Sequence, residues 1–454
     1  MFLSKLKKSL SSRQEIGELL TRPFQRFSQR QASSSVLLLF ATITALAWAN
    51  SPFSASYYSF WDSEISLSLG PYAIRESLLD WINDGLMAFF FLIVGLEIKQ
   101  EILVGELASF KRAFLPAAAA LGGMLIPTLI FLLFNWDVPT VDGWGIPMAT
   151  DIAFALGALA VLGRRLPLGL RAFLSAFAIA DDLGAVLVIA LFYTKTLAWD
   201  HLFVSLTFVA GLALANFLWI RKTIVYALLG VGLWLTIVGS GVHATVAGMV
   251  VAAFIPAKGK YDTDKFINEV GTLMNEFQCE PKGCGESILL NEKHLNAVQS
   301  IELAAHNAET PLQRLVNSLY PWVSFFIVPL FALANAGVSL AREDMLKAMT
   351  SPLSLGVSLG LLIGKPLGIA LFSYIAVKAG LAVLPRGVRW SHLVGVGILG
   401  GIGFTMSLFI TGLSFNQDSL ILQAKLGILS GSIASAILGL AFLSALSQKK
   451  KDVL

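Results

Sequence analysis

Charge is what this chain has least of: only 14% of its 454 residues are Asp, Glu, Lys or Arg, where a soluble globular protein carries about a quarter. Beside 56% hydrophobic residues, that shortfall excludes a soluble domain and points to a membrane protein. Cysteine is nearly missing. Cys279 and Cys284, in CEPKGC, are the only two, and one such pair cannot supply the four ligands of a structural zinc site, so it reads as two reduced thiols. No small-residue cleavage site follows the first apolar run, and the 34 residues ahead of it are too long and too charged for the n-region of a signal peptide. The amino terminus is therefore expected to stay in the cytoplasm.

What the chain does have is long apolar runs. Stretches 35–52, 78–99, 113–134, 146–162, 168–193, 201–219, 223–239, 241–256, 319–337, 353–377, 391–413 and 420–446 approach the roughly 17 to 25 residues that cross a hydrocarbon core. The expected fold class is an all-α polytopic membrane protein of about twelve transmembrane helices. With the amino terminus inside, the inside segments hold 27 of the 33 Lys and Arg, and the outside loops hold four: Arg75, Lys195, Arg342 and Lys347. Cytoplasmic loops carry the basic excess, so both termini are expected in the cytoplasm. The net charge of +4 then reflects orientation against an anionic lipid bilayer and gives no reason to invoke nucleic acid.

The domain plan follows from these limits. A basic cytoplasmic tail, 1–34, precedes spans 1–8 within 35–256; a cytoplasmic insertion loop, 257–318, precedes spans 9–12 within 319–446; and 447–454 is a cytoplasmic tail. The insertion has weak helical patterning from Thr263 to Asn307 and reads as a small regulatory element. In the outside segment 51–77, SASYYSFW and EISLSL alternate polar and apolar residues and suggest two short strands of a β-hairpin. Its open edges could be covered by a partner subunit.

An ionisable residue at mid-membrane costs roughly 2.5 to 3.5 kcal/mol on insertion scales, so each asks for a reason. Glu97, Asp151, Asp181, Asp182 and Lys365 stand out, although Glu97, in GLEIKQE, lies where its span meets the inside surface. Asp181 and Asp182, in AIADDLGAV, have about ten apolar residues on each side. Adjacent helical residues point about 100° apart, so one carboxylate can face a water-filled cavity while the other faces a packed partner. Two close carboxylates raise each other's affinity for protons, and protons and a small hard cation then compete for the same oxygens. Lys365, in LLIGKPLGI, needs a carboxylate partner, with Asp181 or Asp182 the natural candidate. Its GKP is no P-loop, because Leu359 stands where the first glycine is required and Pro366 replaces Ser or Thr. Gly360, Gly364 and Gly368 instead read as close helix packing.

Two spans look broken. MATDIAFALG places Thr150 and Asp151 in a short span after Gly143, Gly145 and Pro147, and GVGILGGIGFTMSLFI carries five glycines and a central Thr405. A Gly/Pro-interrupted span in each half is a pointer to a transporter site built from discontinuous helices. Asp151 suits the positive N-terminal ends of half-helices and Lys365 the negative C-terminal ends. Thr150 could offer its hydroxyl to a cation or cap a half-helix.

Together TDIAFALG (150–157), AIADDLGA (178–185), GVHATVAG (241–248), VPLFALANAGVSL (328–340), LLIGKPLGI (361–369) and GILGGIGFTMSLFI (397–410) resemble the NhaA-type sodium/proton antiporters. The motifs run through both halves of the membrane region. The resemblance implies inverted repeats of spans 3–5 and 10–12, with spans 4 and 11 discontinuous and crossing at mid-membrane, an architecture for which this family is a standing example. It implies that Na+ or Li+ is exported in exchange for protons, electrogenically and under pH control, with no cofactor and no enzyme activity. The ligands implied for Na+ are Asp182, Asp181 and Thr150, with Asp151 adjacent and Lys365 pairing with Asp181. His243, Glu97 and Glu101 match positions linked to the pH response, and a homodimer through 51–77 in a bacterial inner membrane is expected. The chain departs from the family at Val316, Asn317 and Tyr320, where an acidic residue and histidines can stand, and at Gln100, where a basic residue is common. A sodium-coupled solute symporter would need a roomy polar cavity, which the Asp pair with Lys365 argues against. An intramembrane aspartyl protease needs two aspartates on separate helices, which neighbours on one helix fit poorly.

Overall fold

The computed structural model describes residues 31–69, 72–137, 139–163, 166–194, 197–275, 292–339 and 345–448. The tail up to residue 30, Cys279, Cys284, Lys195, Arg342 and residues 449–454 lie outside them. Two compact units emerge: the first drawn from the described residues of Met1–Met87, Glu106–Tyr193 and Pro321–Leu454, the second from Ala88–Gly105 and Thr194–Tyr320.

In the first unit, α1 (Gln31–Ala49) turns sharply into α2 (Ser54–Trp61), and β1 (Glu64–Leu69) pairs antiparallel with β2 (Tyr72–Ser77), Glu64 opposite Ser77 and Leu69 opposite Tyr72. The expected hairpin is present, with a correction to its first strand. SASYYSFW is α2, because its aromatics serve a helical face: Tyr57 and Trp61, one turn apart, are both buried. The Tyr57 hydroxyl donates toward the carbonyls of Leu333 and Ala334, at 2.8 and 2.9 Å, and accepts the Gly337 N–H at 3.1 Å.

α3 (Met87–Val104) belongs almost wholly to the second unit; the first resumes at α4 (Phe110–Phe134), continues through the 3-10 stretch Thr140–Met148 to α5 (Ile152–Val161), and then to α6 (Leu168–Phe192). The second unit adds α7 (Trp199–Phe217), α8 (Thr223–Val238), α9 (Thr245–Phe254), α10 (Thr263–Asn275) and α11 (Glu292–Ala308). After them run α12 (Pro311–Asn335), α13 (Pro352–Lys378), α14 (Trp390–Gly400), α15 (Phe404–Ser414) and α16 (Asp418–Gln448). Among its described residues the insertion loop thus carries α10 and α11, and α12 begins at Pro311, inside the stretch expected as loop.

Seven of these segments are long and apolar enough to cross a membrane, and the bent pairs α1–α2 and α14–α15 bring the number to nine. The shorter apolar helices α8 and α9, and α3, whose Glu97, Lys99 and Glu101 cluster near one end, fall on the remaining apolar stretches. Among the described residues each of the expected twelve stretches carries helix, in order, although not every one is helical throughout. The protein is a polytopic, all-α membrane protein, with one small two-stranded sheet among the described residues.

Packing in the first unit places the polar residues. Leu115 and Ala119 of α4, Leu170, Leu174 and Phe177 of α6, Ile369 of α13, Leu393 and Leu399 of α14 and Leu443 of α16 form one buried apolar cluster. Gly122 of α4 and Gly368 of α13 approach so closely that a Cβ on either would strike the other's carbonyl. Small residues let backbones touch where lipid offers no hydrophobic drive for association. α13 also contains a π-helical turn, Gly360–Gly364, immediately before Lys365 and Pro366. A proline ring clashes with the carbonyl four residues back and has no N–H to give it, and a widened turn relieves both. The same device, Val323–Ile327, precedes Pro329 in α12.

The second unit has its own core, with Leu96 of α3, Leu212 of α7, Tyr226 and Leu233 of α8, and Ala247 and Val251 of α9. Lys99 donates to the carbonyls of Ala253 and Ile255 at the end of α9, at 2.7 and 2.5 Å, as a cation at a helix C-terminus should.

Candidate functional site

Span 4 stops being helical at Ala149–Asp151, and span 11 breaks after Gly400 and restarts at Phe404, with a 45° bend. Each break leaves N–H and C=O groups without intrahelical partners, and in hydrocarbon such groups must be satisfied by protein. Here each break satisfies the other. The Thr150 hydroxyl donates to the Gly400 carbonyl at 2.9 Å, and the Asp151 N–H to the Ile402 carbonyl at 2.6 Å. In the opposite direction the Ser407 hydroxyl donates to the Ile146 carbonyl at 2.8 Å.

Asp151 is the N-cap of α5, its Oδ1 accepting the Phe154 N–H at 3.0 Å. Its Oδ2 accepts both the N–H and the hydroxyl of Thr405, at 3.0 and 2.6 Å. The N-cap position of α15 is Gly403, which has no side chain to cap with. A Cβ there would meet the Ala149 carbonyl at 2.8 Å, so close crossing demands the glycine and a carboxylate from the other span does the capping. One buried charge thus neutralises the positive ends of two half-helices.

Asp181 and Asp182 sit near the middle of the 25-residue α6, each 1% exposed. Lys365, 0% exposed, begins the α-helical part of α13 beyond the π-turn, and its Nζ lies 2.7 Å from Asp181 Oδ2 and 5.7 Å from the centre of the Phe177 ring. Thr150 borders Asp181, and the Asp182 charge acts on Lys365 as well. Asp151, Asp181, Asp182 and Lys365 are therefore all buried within the first unit. Asp151 is held by hydrogen bonds and Asp181 by an ion pair, while Asp182 points off α6 at a different azimuth from Asp181.

Five of the residues singled out in the sequence, Thr150, Asp151, Asp181, Asp182 and Lys365, belong to the first unit, and Asp181 meets Lys365 directly. Glu97 and Glu101 on α3, and His243, belong to the second. His243 does not lie within a helix as its span suggested. It occupies the turn ahead of α9, after Gly241 with φ +83°, and its carbonyl accepts the Val246 N–H at 3.0 Å. The preceding helix has already ended at Val238, capped by Gly239, and the left-handed Gly241 bends the turn that follows. Of the departures, Asn317 donates to Glu309 at 3.4 Å, close to the Arg314–Glu309 ion pair at 3.5 Å.

Two hydroxyls of the crossing, on Thr405 and Ser407, are not among the residues to which the sequence assigns a role. The available signal was two hydroxyl residues just after a glycine break, where a starting helix has spare N–H groups and no cap of its own.

A sequence profile described as Na+/H+ antiporter 1 matches residues 25–443. A protein named Na(+)/H(+) antiporter NhaA 2, from Syntrophotalea carbinolica, is 47% identical over 433 residues, covering 95% of this chain and 98% of its own. The Na(+)/H(+) antiporter NhaA of Acidithiobacillus ferrooxidans is 46% identical over 439 residues, covering 95% and 99%, and that of Oleidesulfovibrio alaskensis 47% over 426 residues, covering 94% of each. Matched along nearly its whole length, with discontinuous spans crossing beside a buried aspartate pair, the chain belongs to the Na+/H+ antiporter family.

Proposed function

We propose that this protein exports Na+, and Li+ in its place, in exchange for protons, with Asp181 and Asp182 as the shared site. The observation that carries the reading is the Asp181–Lys365 pair, 2.7 Å apart and sealed from solvent, with Asp182 adjacent. A buried ion pair is weak support for stability, since replacing both partners by apolar residues is often neutral or stabilising. Its presence is better explained by a site that must gain and lose charge.

At alkaline pH on the inside, the carboxylates lose protons and Asp182, with Asp181 and the Thr150 hydroxyl, takes up the cation. Proton binding from the outside expels it, and the site returns protonated. Exchange of more than one proton per cation makes the cycle electrogenic, each charge moved being worth about 2.3 kcal/mol per 100 mV. The reaction forms no covalent bond and needs no cofactor.

Lys365 pairs with Asp181, and Asp151 holds the crossing together. The excess of Lys and Arg in alternate loops supports both termini being cytoplasmic, and the bacterial relatives support an inner membrane. The hairpin 64–77 offers strand edges through which a second copy can join, and Glu97, Glu101 and His243 are the groups we assign to the pH response.

The test is collapse of ΔpH in everted vesicles on adding Na+, Li+ or K+ across a pH series. Na+ and Li+ are expected to collapse it and K+ not. Solute uptake with Na+ and no proton movement would sink the reading in favour of a symporter.

A further inference from the structure

Asp151 follows Thr150, which borders Asp181, and carries the same chemical group as the exchange pair, yet its bonding differs. A carboxylate has about four lone-pair positions, and three of Asp151's are taken: Phe154 N–H on Oδ1, Thr405 N–H and Thr405 O–H on Oδ2. Two of the donors are backbone N–H groups in the first turns of α5 and α15, fixed as long as those helices exist. The third is a side chain, and at 2.6 Å the Thr405 hydroxyl is the shortest of the three. Whenever Asp151 is ionised it accepts only, and the Thr405 proton is then committed to it. Thr405 is buried, and its branched Cβ restricts χ1, so the hydroxyl does not wander.

The bond also ties residues 254 positions apart in the chain. It joins the Thr150, Asp151 and Ser407 bonds that lace the two breaks in both directions. The hydroxyl is the one member of this lacing that a side-chain substitution removes from Asp151 itself while both helix caps stay in place. Without it, a lone pair of Oδ2 falls vacant beside Thr150, whose own neighbour is Asp181.

We propose that Thr405 is a positioning residue of the exchange site: its hydroxyl holds the Asp151 carboxylate onto the two half-helix N-termini and so keeps Asp151 out of the cation's coordination, leaving Na+ to Asp181 and Asp182. The inference rests on the antiport reading above. Thr405 touches no ion; it acts through Asp151. Releasing Oδ2 gives the cation a third carboxylate to hold, which tightens its binding in the wrong place and slows its exit.

The test compares the full chain in proteoliposomes as wild type, Thr405→Ser, Thr405→Val, Asp151→Asn and the Thr405→Val/Asp151→Asn double variant, reading kcat and KM for Na+ and Li+. Thr405→Ser, which keeps the hydroxyl, is expected within twofold of wild type. Thr405→Val is expected to lose tenfold or more in kcat with KM lowered about threefold, a split that simple loss of folded protein does not produce. In the Asp151→Asn background, adding Thr405→Val is expected to change neither constant by more than twofold. Wild-type kinetics for Thr405→Val, an equal effect of that substitution with and without the Asp151 carboxylate, or failure of Thr405→Ser to behave as wild type overturns the inference.

If Thr405→Val does not assemble, the Na+-induced infrared difference spectrum decides. Its carboxylate bands are expected to survive Asp151→Asn and to be lost in Asp182→Asn; loss of a band with Asp151→Asn overturns the inference. Wild-type protein without any Na+ response overturns the antiport reading and this inference together, whereas a wild-type response with uncoupled variants overturns this inference alone.

Discussion

Asp151 and Asp181 are both buried and both within the first unit, at 2% and 1% exposure, but the regions around them handle charge in different ways. At the crossing of the two breaks, Asp151 receives two backbone N–H groups and one hydroxyl, donors that carry no exchangeable charge. In the middle of α6, Asp181 receives an ammonium, which can give up its proton, and Asp182 follows it at the next position. The first region faces its carboxylate with neutral donors from two helix starts, the second with a charged one, and on the antiport reading proposed above it is the second that changes its charge. The difference teaches that a buried carboxylate's role is set by the kind of donor facing it more than by its burial.

Neutralising the second region should have the larger functional effect. Asp182→Asn is expected to abolish Na+-dependent ΔpH collapse, by a hundredfold or more, while the protein still assembles; residual exchange at a normal rate would erase the contrast between the two regions. Competition sets the next effect. Where the site titrates, each competing proton should raise the apparent KM for Na+ about tenfold per unit fall in pH, since one pH unit is a tenfold change in proton activity, measured in everted vesicles at fixed membrane potential. An apparent KM independent of pH would mean that protons and Na+ use separate sites.

Stability separates the regions in a third way. Lys365→Met leaves Asp181 buried without its counter-ion and should cost about 3 to 5 kcal/mol, read as thermal unfolding in detergent. Adding Asp181→Asn should recover much of the loss, because the uncompensated charge is gone. No such rescue is open to the crossing, where Ser407→Ala strands the Ile146 carbonyl for about 1 to 3 kcal/mol. Smallest of all, Leu206→Ala on α7, at 61% exposure, should change stability by less than about 0.5 kcal/mol, since the side chain packs against little of the protein.

Much of this was legible in the sequence because it depends on local pattern. Twelve apolar runs become twelve helical segments since a chain in hydrocarbon must pair its own backbone groups, and α-helices do so within each segment. Glycine and proline marked both breaks for the same local reason. Reading failed where one residue's role depends on a distant surface. SASYYSFW looks like a strand by alternation, but Tyr57 reaches carbonyls 276 and 277 positions away, and that contact requires a helix. His243 looked helical in a hydrophobic run, yet the left-handed Gly241 ahead of it placed it in a turn.

By itself, then, the sequence determined the membrane class, the order of the spans, the places where helices break and the residues whose burial needed a reason. Charge and hydropathy are counted along a chain and need no neighbours. Only the tertiary structure decided which donor each carboxylate meets: Lys365 for Asp181, across 184 positions, and Thr405 for Asp151, across 254. Those pairings come from two breaks crossing and from Gly122 and Gly368 letting α4 and α13 touch. Contacts of that kind exist only once the helices have packed.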